Sequence, residues 1–256
     1  MKEVLNIIKV GGKVLEDSAS LDLLLDAFCG IEGRRMLVTG GGRTATAVAS
    51  ELGIKTRMID GRRVTDGQML KVVTMVYAGL VGKDVVARMQ ARGVNAIGLS
   101  GADMDVVRCE KRSPEPVDYG FAGDVRKVNA EALRTLIEAG AVPVLCPVTH
   151  DGKGQLLNTN ADTMASAAAT ALAGFYDVNL IFCFEKKGVL SDPDDEDSVI
   201  ETIDRETFRK LKADGTVSEG MIPKLENAFK AVDAGVGKVI ITNAESLSKG
   251  CGTTIK

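Results

Sequence analysis

Short, nearly unbroken apolar runs recur along this chain, and stretches of helical periodicity separate them. The runs at 5–10, 36–38, 96–99, 142–148, 178–184 and 238–242 are rich in Val, Ile and Leu and lack an alternating polar face. A strand that is apolar on both sides must be covered on both sides, and parallel strands need helical crossovers. The alternation therefore predicts an α/β fold with a mainly parallel sheet covered on both faces. Helices are expected at 20–28, capped by Ser20, and then at 68–81, 83–92, 130–139, 161–173, 205–212 and 220–234. The segment 55–65 reads as a hairpin around Asp60-Gly61, 104–129 as further hairpins, and 253–255 as an edge strand.

At 256 residues the chain is one large domain or two lobes sharing a sheet. A net charge of -3, with no basic stripe, argues against nucleic acid and anionic membrane as partners. No apolar run reaches the ~18 residues of a membrane span, and the first strand begins too early to leave room for a signal peptide. The 5 cysteines are scattered without a C-x-x-C pair, and Cys146 and Cys183 lie in strand-like runs. Buried free thiols in a reducing cytoplasm are expected. The single histidine, His150, excludes a histidine-clustered metal centre and reads as a turn residue. The acidic run 192–197 lacks the EF-hand spacing and reads as a solvated loop.

Chemistry concentrates where strands end. Lys9 interrupts the first apolar run and is followed at once by Gly11 and Gly12. A lysine beside bare backbone N–H groups suits a phosphate; the bland alternative is a lysine snorkelling out of a core strand before an ordinary turn. The second strand runs into Gly40-Gly41-Gly42 and then a helix, whose N-terminus attracts anions. Neither the G-x-G-x-x-G nor the P-loop spacing is present, so two glycine loops after two early strands form a different solution to holding phosphates or carboxylates. Adjacent Arg62 and Arg63 at the hairpin mouth suit a carboxylate, although most such arginines are surface charges.

In order along the chain, Ile7-Ile8-Lys9-Val10-Gly11-Gly12, Gly40-Gly41-Gly42, Gly61-Arg62-Arg63-Val64-Thr65, Leu157-Asn158-Thr159-Asn160-Ala161-Asp162 and Gly220-Met221-Ile222-Pro223-Lys224 resemble the motifs of the acetylglutamate kinases, in the amino acid kinase family. The resemblance spans essentially the whole chain. It implies an open αβα sandwich, with an acylglutamate-binding N-lobe at 1–174 and an ATP-binding C-lobe at 175–256. The implied reaction is ATP-dependent phosphorylation of the side-chain carboxylate of N-acetyl-L-glutamate in arginine synthesis. By resemblance Lys9 and Lys224 approach the transferring phosphoryl group and Asp162 holds the two ammonium groups. Gly11, Gly12, Gly41 and Gly42 present N–H donors, while Arg63 and Asn158 hold the substrate's α-carboxylate and amide. Glu185, Lys186, Gly188, Val189 and Leu190, with Thr216, Val217 and Ser218, match nucleotide-binding segments. Mg²⁺ is expected on the ATP phosphates, with no protein ligand named.

The chain departs from the family's pattern in three places. Thr39 stands where histidine usually precedes the glycines, Phe184-Glu185-Lys186 replaces Ser/Thr-Asp-Val, and Arg62 replaces an apolar residue near the acyl group. The last points to an acid-bearing acyl chain such as N-succinyl-L-glutamate, with Arg62 as a further substrate contact. The alternative is that Arg62 faces solvent or pairs with an acidic neighbour. A homodimer through the broadly apolar helix 68–81 is expected, as is insensitivity to arginine, since arginine-regulated members carry an additional N-terminal helix. Rival readings are another amino acid kinase, such as a carbamate or glutamate 5-kinase, and an inactive sensor on the same fold. Arg63 with the 158–162 motif argues against the first, and joint retention of Lys9, Asp162 and Lys224 against the second.

Overall fold

The computed structural model of the chain describes residues 2–217 and 221–256. Its elements begin with β1 (Val4–Val10), α1 (Gly12–Glu16), α2 (Ser18–Gly30), β2 (Arg34–Thr39), α3 (Gly42–Glu51), β3 (Arg57–Ile59) and β4 (Arg62–Val64). A long helical stretch follows as α4 (Gly67–Thr74), a π-helical segment (Met75–Val81) and α5 (Gly82–Ala91). Then come β5 (Ala96–Ser100), β6 (Val107–Lys111), β7 (Gly123–Val128), α6 (Ala130–Glu138), β8 (Val142–Cys146), β9 (Val148–His150), β10 (Leu156–Asn158) and α7 (Ala161–Leu172). The chain ends with β11 (Asp177–Phe184), β12 (Thr202–Ile203), α8 (Arg205–Ala213), α9 (Ile222–Asp233), β13 (Lys238–Asn243), α10 (Ala244–Leu247) and β14 (Thr253–Ile255).

Two compact units result: Met1–Arg35 with Ala165–Lys256, and Met36–Met164. In the first unit the strand order is β12-β14-β13-β11-β1. Every neighbouring pair is parallel except β13 with β14. The register of β1 on β11 is marked by one polar pair: Asn6 lies opposite Asn179, whose Nδ2 donates to Asn6 Oδ1 at 3.0 Å. A one-residue slip would separate these amides among apolar neighbours, at the cost of an unpaired buried group. In the second unit β2, β8 and β5 form a parallel array, β10-β9-β6-β7 form a separate sheet, and β3 pairs antiparallel with β4. The fold is thus α/β with a mostly parallel sheet, as the alternation of runs requires.

The structure corrects four local expectations. Asp17, not Ser20, caps α2: its carboxylate accepts from the Ser20 backbone N–H at 2.7 Å, so Ser20 already lies in the first turn. An anionic acceptor also suits the positive helix end. Residues 142–148 form two strands, because Pro147 has no N–H to continue a ladder. β14 is not an edge strand, since the short β12 pairs outside it. Residues 75–81 leave the α-helix for a π-helix, which shifts the buried stripe by one position. Val76, Tyr77, Val81, Val85 and Met89 are buried, while Met75 and Leu80 are 55% and 57% exposed. The hairpin is as expected: Asp60 and Gly61 both have positive φ, 48° and 71°, as a type I′ turn demands.

Candidate active site

In the first unit the site is built from the ends of strands. Lys9 is the penultimate residue of β1 and only 8% exposed. Its register partner on β11 is Phe182. Side chains two apart on a strand share a face, so Phe184 lies on the same side. The Lys9 Nζ stands 5.1 Å from the centroid of the Phe184 ring. Lys224 enters from the first turn of α9 and places its Nζ 3.9 Å from the same centroid. Gly11 extends the β1–β11 ladder by one step, donating from its N–H to Cys183 O at 3.2 Å. The two glycines form no left-handed turn: Gly11 has φ -80° and precedes α1, which Gly12 opens.

The expected nucleotide residues divide between surface and core. Glu185 is paired with Lys13. Lys186 reaches back to Glu196 at 3.2 Å, so it is tied to the acidic loop. Gly188 and Val189 turn inward, while Leu190 is half-buried. A Cβ at Gly188 would lie 2.7 Å from Thr253 Oγ1, and the Val189 N–H donates to that oxygen at 2.8 Å. Thr216 Oγ1 donates to Asp214 at 2.6 Å and Val217 is buried. Ser218, like Gly220 of the last motif, lies outside the described residues. A cavity of about 520 Å³ opens beside Phe184 and Glu185. Its wall carries Glu16, Asp17, Glu185 and Glu245 against the single cation of Lys13, which is the wrong sign for a polyphosphate.

In the second unit Arg63 is the hub. Its Nη2 donates to Gly42 O at 2.6 Å and Thr46 Oγ1 at 2.8 Å, and Nη1 to Thr56 Oγ1 at 3.3 Å. Gly41 has φ 135°, and a Cβ there would approach Tyr77 Cδ1 to 2.8 Å, so only glycine fits. Burial pushes the Tyr77 phenol up, while the neighbouring Arg63 guanidinium pulls it down. Arg62 is the neighbour of Arg63 along β4 and points to the other face. It is exposed and forms no hydrogen bond or ion pair among the described residues. Asn158 donates to the buried Thr65 Oγ1 at 2.9 Å. Asp162 sits in the first turn of α7, beside the cap in which Asn160 Oδ1 accepts from the Thr163 N–H at 2.9 Å. Thr39 is fully buried and its hydroxyl has no hydrogen-bond partner among the described residues.

Phe184 and Tyr77 are the residues that sequence reasoning did not assign to the site. Phe184 meets Lys9 only through the β1–β11 register, which the sequence does not display. Tyr77, an aromatic in a stretch of small and aliphatic residues, gave no signal. His150 is structural, with Nε2 2.8 Å from Asp105 Oδ1.

The first unit thus brings Lys9 and Lys224 to one aromatic ring, and the second gathers Arg63, Gly42 and Thr46 at the start of α3. The chain belongs to the amino acid kinase family, which residues 5–243 match. It is 59% identical to an acetylglutamate kinase of Phocaeicola vulgatus over 256 residues, covering 100% of both chains. To the acetylglutamate kinase of Bacteroides thetaiotaomicron it is 57% identical, again over 100% of both. The crystal structure of smu.665 from Streptococcus mutans superposes with a TM-score of 0.79 at 29% identity, covering 98% of each chain.

Proposed function

We propose that this chain is an ATP-dependent kinase that phosphorylates the side-chain carboxylate of an N-acyl-L-glutamate, N-acetyl-L-glutamate being the substrate its relatives' name indicates. Full-length identity of 59% to an acetylglutamate kinase supports this reading. The structural observation that carries it is the meeting of Lys9 and Lys224 at one ring in the first unit.

The chemistry follows from charge. A glutamate carboxylate, with an ordinary pKa of about 4.3, is ionised at neutral pH and needs no general base. The barrier lies in bringing an anion onto a polyanion, so catalysis is positioning and charge stabilisation. In this reading Lys9 and Lys224 stabilise the transferring phosphoryl group, and Asp162 keeps the role of orienting carboxylate that the resemblance assigns to it. Gly12, Gly41 and Gly42 donate N–H groups, Gly11 lines the site with bare backbone while its own N–H is engaged by Cys183 O, and Arg63 with Asn158 holds the substrate. Among the described residues no group of three or more His, Cys, Asp or Glu converges to hold a metal ion. Mg²⁺ would ride on the ATP phosphates, where it would offset their charge. Residues 1–174 supply the acylglutamate side and 175–256 the nucleotide side. A cytoplasmic homodimer fits a biosynthetic enzyme, and among the described residues no helix is long and apolar enough to cross a membrane. ADP release by the purified protein, with ATP and a panel of free and acylated glutamates, tests the assignment. Turnover is expected on an acylated glutamate, and none on any glutamate derivative would overturn it.

A second reading concerns the acyl group. The guanidinium of Arg62 is exposed and forms no hydrogen bond among the described residues, though its charge acts on Asp124; its fork could take a terminal carboxylate. In this reading N-succinyl-L-glutamate is preferred over the acetyl compound. Its kcat/KM is then the higher of the two in the wild type, and Arg62→Leu lowers it selectively. A wild-type preference for the acetyl substrate would exclude the reading.

A further inference from the structure

Alternation along β11 places Phe182 and Phe184 on one face, and their rings lie nearly parallel, 7° apart, with centroids separated by 6.1 Å. Lys9 starts opposite Phe182, so its stem crosses that ring's neighbourhood and its tip arrives over Phe184. Lys224 reaches the same ring from α9. Gly11 is the third party: a Cβ there would stand 3.7 Å from Phe184 Cδ1. Three positions assigned to phosphate thus border a single aromatic side chain.

We propose that Phe184 is a positioning residue for phosphoryl transfer, its ring holding the Lys9 and Lys224 ammonium groups ready for the phosphate. The inference rests on the kinase reading above and adds to it a residue that touches no reacting atom. Two like charges brought together in a partly desolvated place repel each other and lose hydration. The negative face of an aromatic ring offsets part of both costs. It does so without neutralising either charge. The ring is also rigid, with two side-chain torsions and a strand-end backbone, so it limits where the flexible lysine tips can go.

The test replaces Phe184 by a mono-, di- and trifluorophenylalanine series, which keeps the ring's size while draining its face of electron density. The expected result is a stepwise fall in kcat, reaching about tenfold at the trifluoro member, with little change in KM for the acylglutamate or in Tm. Phe184→Leu falls at least as far, and Phe184→Tyr retains most activity. A flat kcat across the series would overturn the proposal, because a purely structural role does not follow ring electronics. A second measurement needs no turnover. In lysine-labelled protein, the ε-methylene protons of Lys9 and Lys224, assigned through Lys9→Arg and Lys224→Arg, are expected upfield from the ring current and at ordinary positions in Phe184→Leu. Ordinary positions in the wild type would overturn the proposal even if the enzyme were active. Absence of turnover on every acylglutamate, with upfield signals present, would instead overturn the kinase reading and leave the ring's placement of the lysines standing.

Discussion

Lys9 is a lysine 8% exposed at the end of an apolar strand, a placement that costs solvation and is kept where the charge is used. Charge stabilisation counts most in the transition state, so Lys9→Ala and Lys224→Ala are each expected to lower kcat by about 10²–10³-fold, with KM changed far less. Steady-state kinetics in both substrates checks this, and near-normal kcat in either variant would remove that residue from the mechanism. Lys9 was legible in the sequence because it breaks an apolar run, and Arg63 because it sits at a recognisable hairpin mouth. The division of labour between Arg62 and Arg63 follows from strand alternation alone. Their partners do not: Gly42 and Thr46 meet Arg63 through the packing of α3 beside β4, and Thr56 meets it from just before β3.

Among elements, the β6–β7 hairpin is closed by a charged clip. Arg112, just beyond β6, reaches both carboxylate oxygens of Asp124 on β7, with Nε 3.1 Å from each. The Arg112 guanidinium holds the Asp124 carboxyl below its ordinary value; burial opposes this, and Arg62 adds a smaller pull in the same direction. A carboxyl depressed in the folded state contributes stability that is present above its unfolded value and lost as pH falls through the folded one. Tm is therefore expected to drop on acidification below about pH 4, and Asp124→Asn should make that limb shallower. Thermal melts of the two proteins across the acid range decide it, and identical slopes would show that the clip carries no linkage. Hairpin and helix existence was readable from periodicity and turn residues. The π-helical segment was not, because the signals for an α-turn and a π-turn differ only in how the segment is packed, here with Tyr77 driven under Gly41.

At the scale of the molecule, the helical stretch through the π-segment is buried on one side and leaves Met75 and Leu80 more than half exposed on another. Large apolar side chains presented together on one helix mark an association surface. Sedimentation is expected to give a dimer for the wild type. Leu80→Glu should shift it to monomer without loss of helical signal, since the substituted position is exposed in the isolated chain. A monomeric wild type would exclude this face as a dimer interface. The two compact units do not follow chain order, because residues 1–35 join the C-terminal part. Nothing in local composition marks that return: β1 sits beside β11 because their apolar faces and the Asn6–Asn179 pair match in register.

The sequence by itself determined the α/β class, the mostly parallel pairing, the turn at Asp60-Gly61, and the place of Lys9 and of the glycines at strand ends. These are properties of short segments: backbone freedom, hydrophobic period and chain charge act within a few residues and need no partner to be recognised. Tertiary structure alone decided that Phe184 underlies both lysines, that Tyr77 fills the space only a glycine at 41 leaves open, and that Gly188 and Val189 turn into the core. Each depends on side chains distant in sequence meeting at one register and one crossing, and the energy that selects that meeting comes from contacts no single segment possesses.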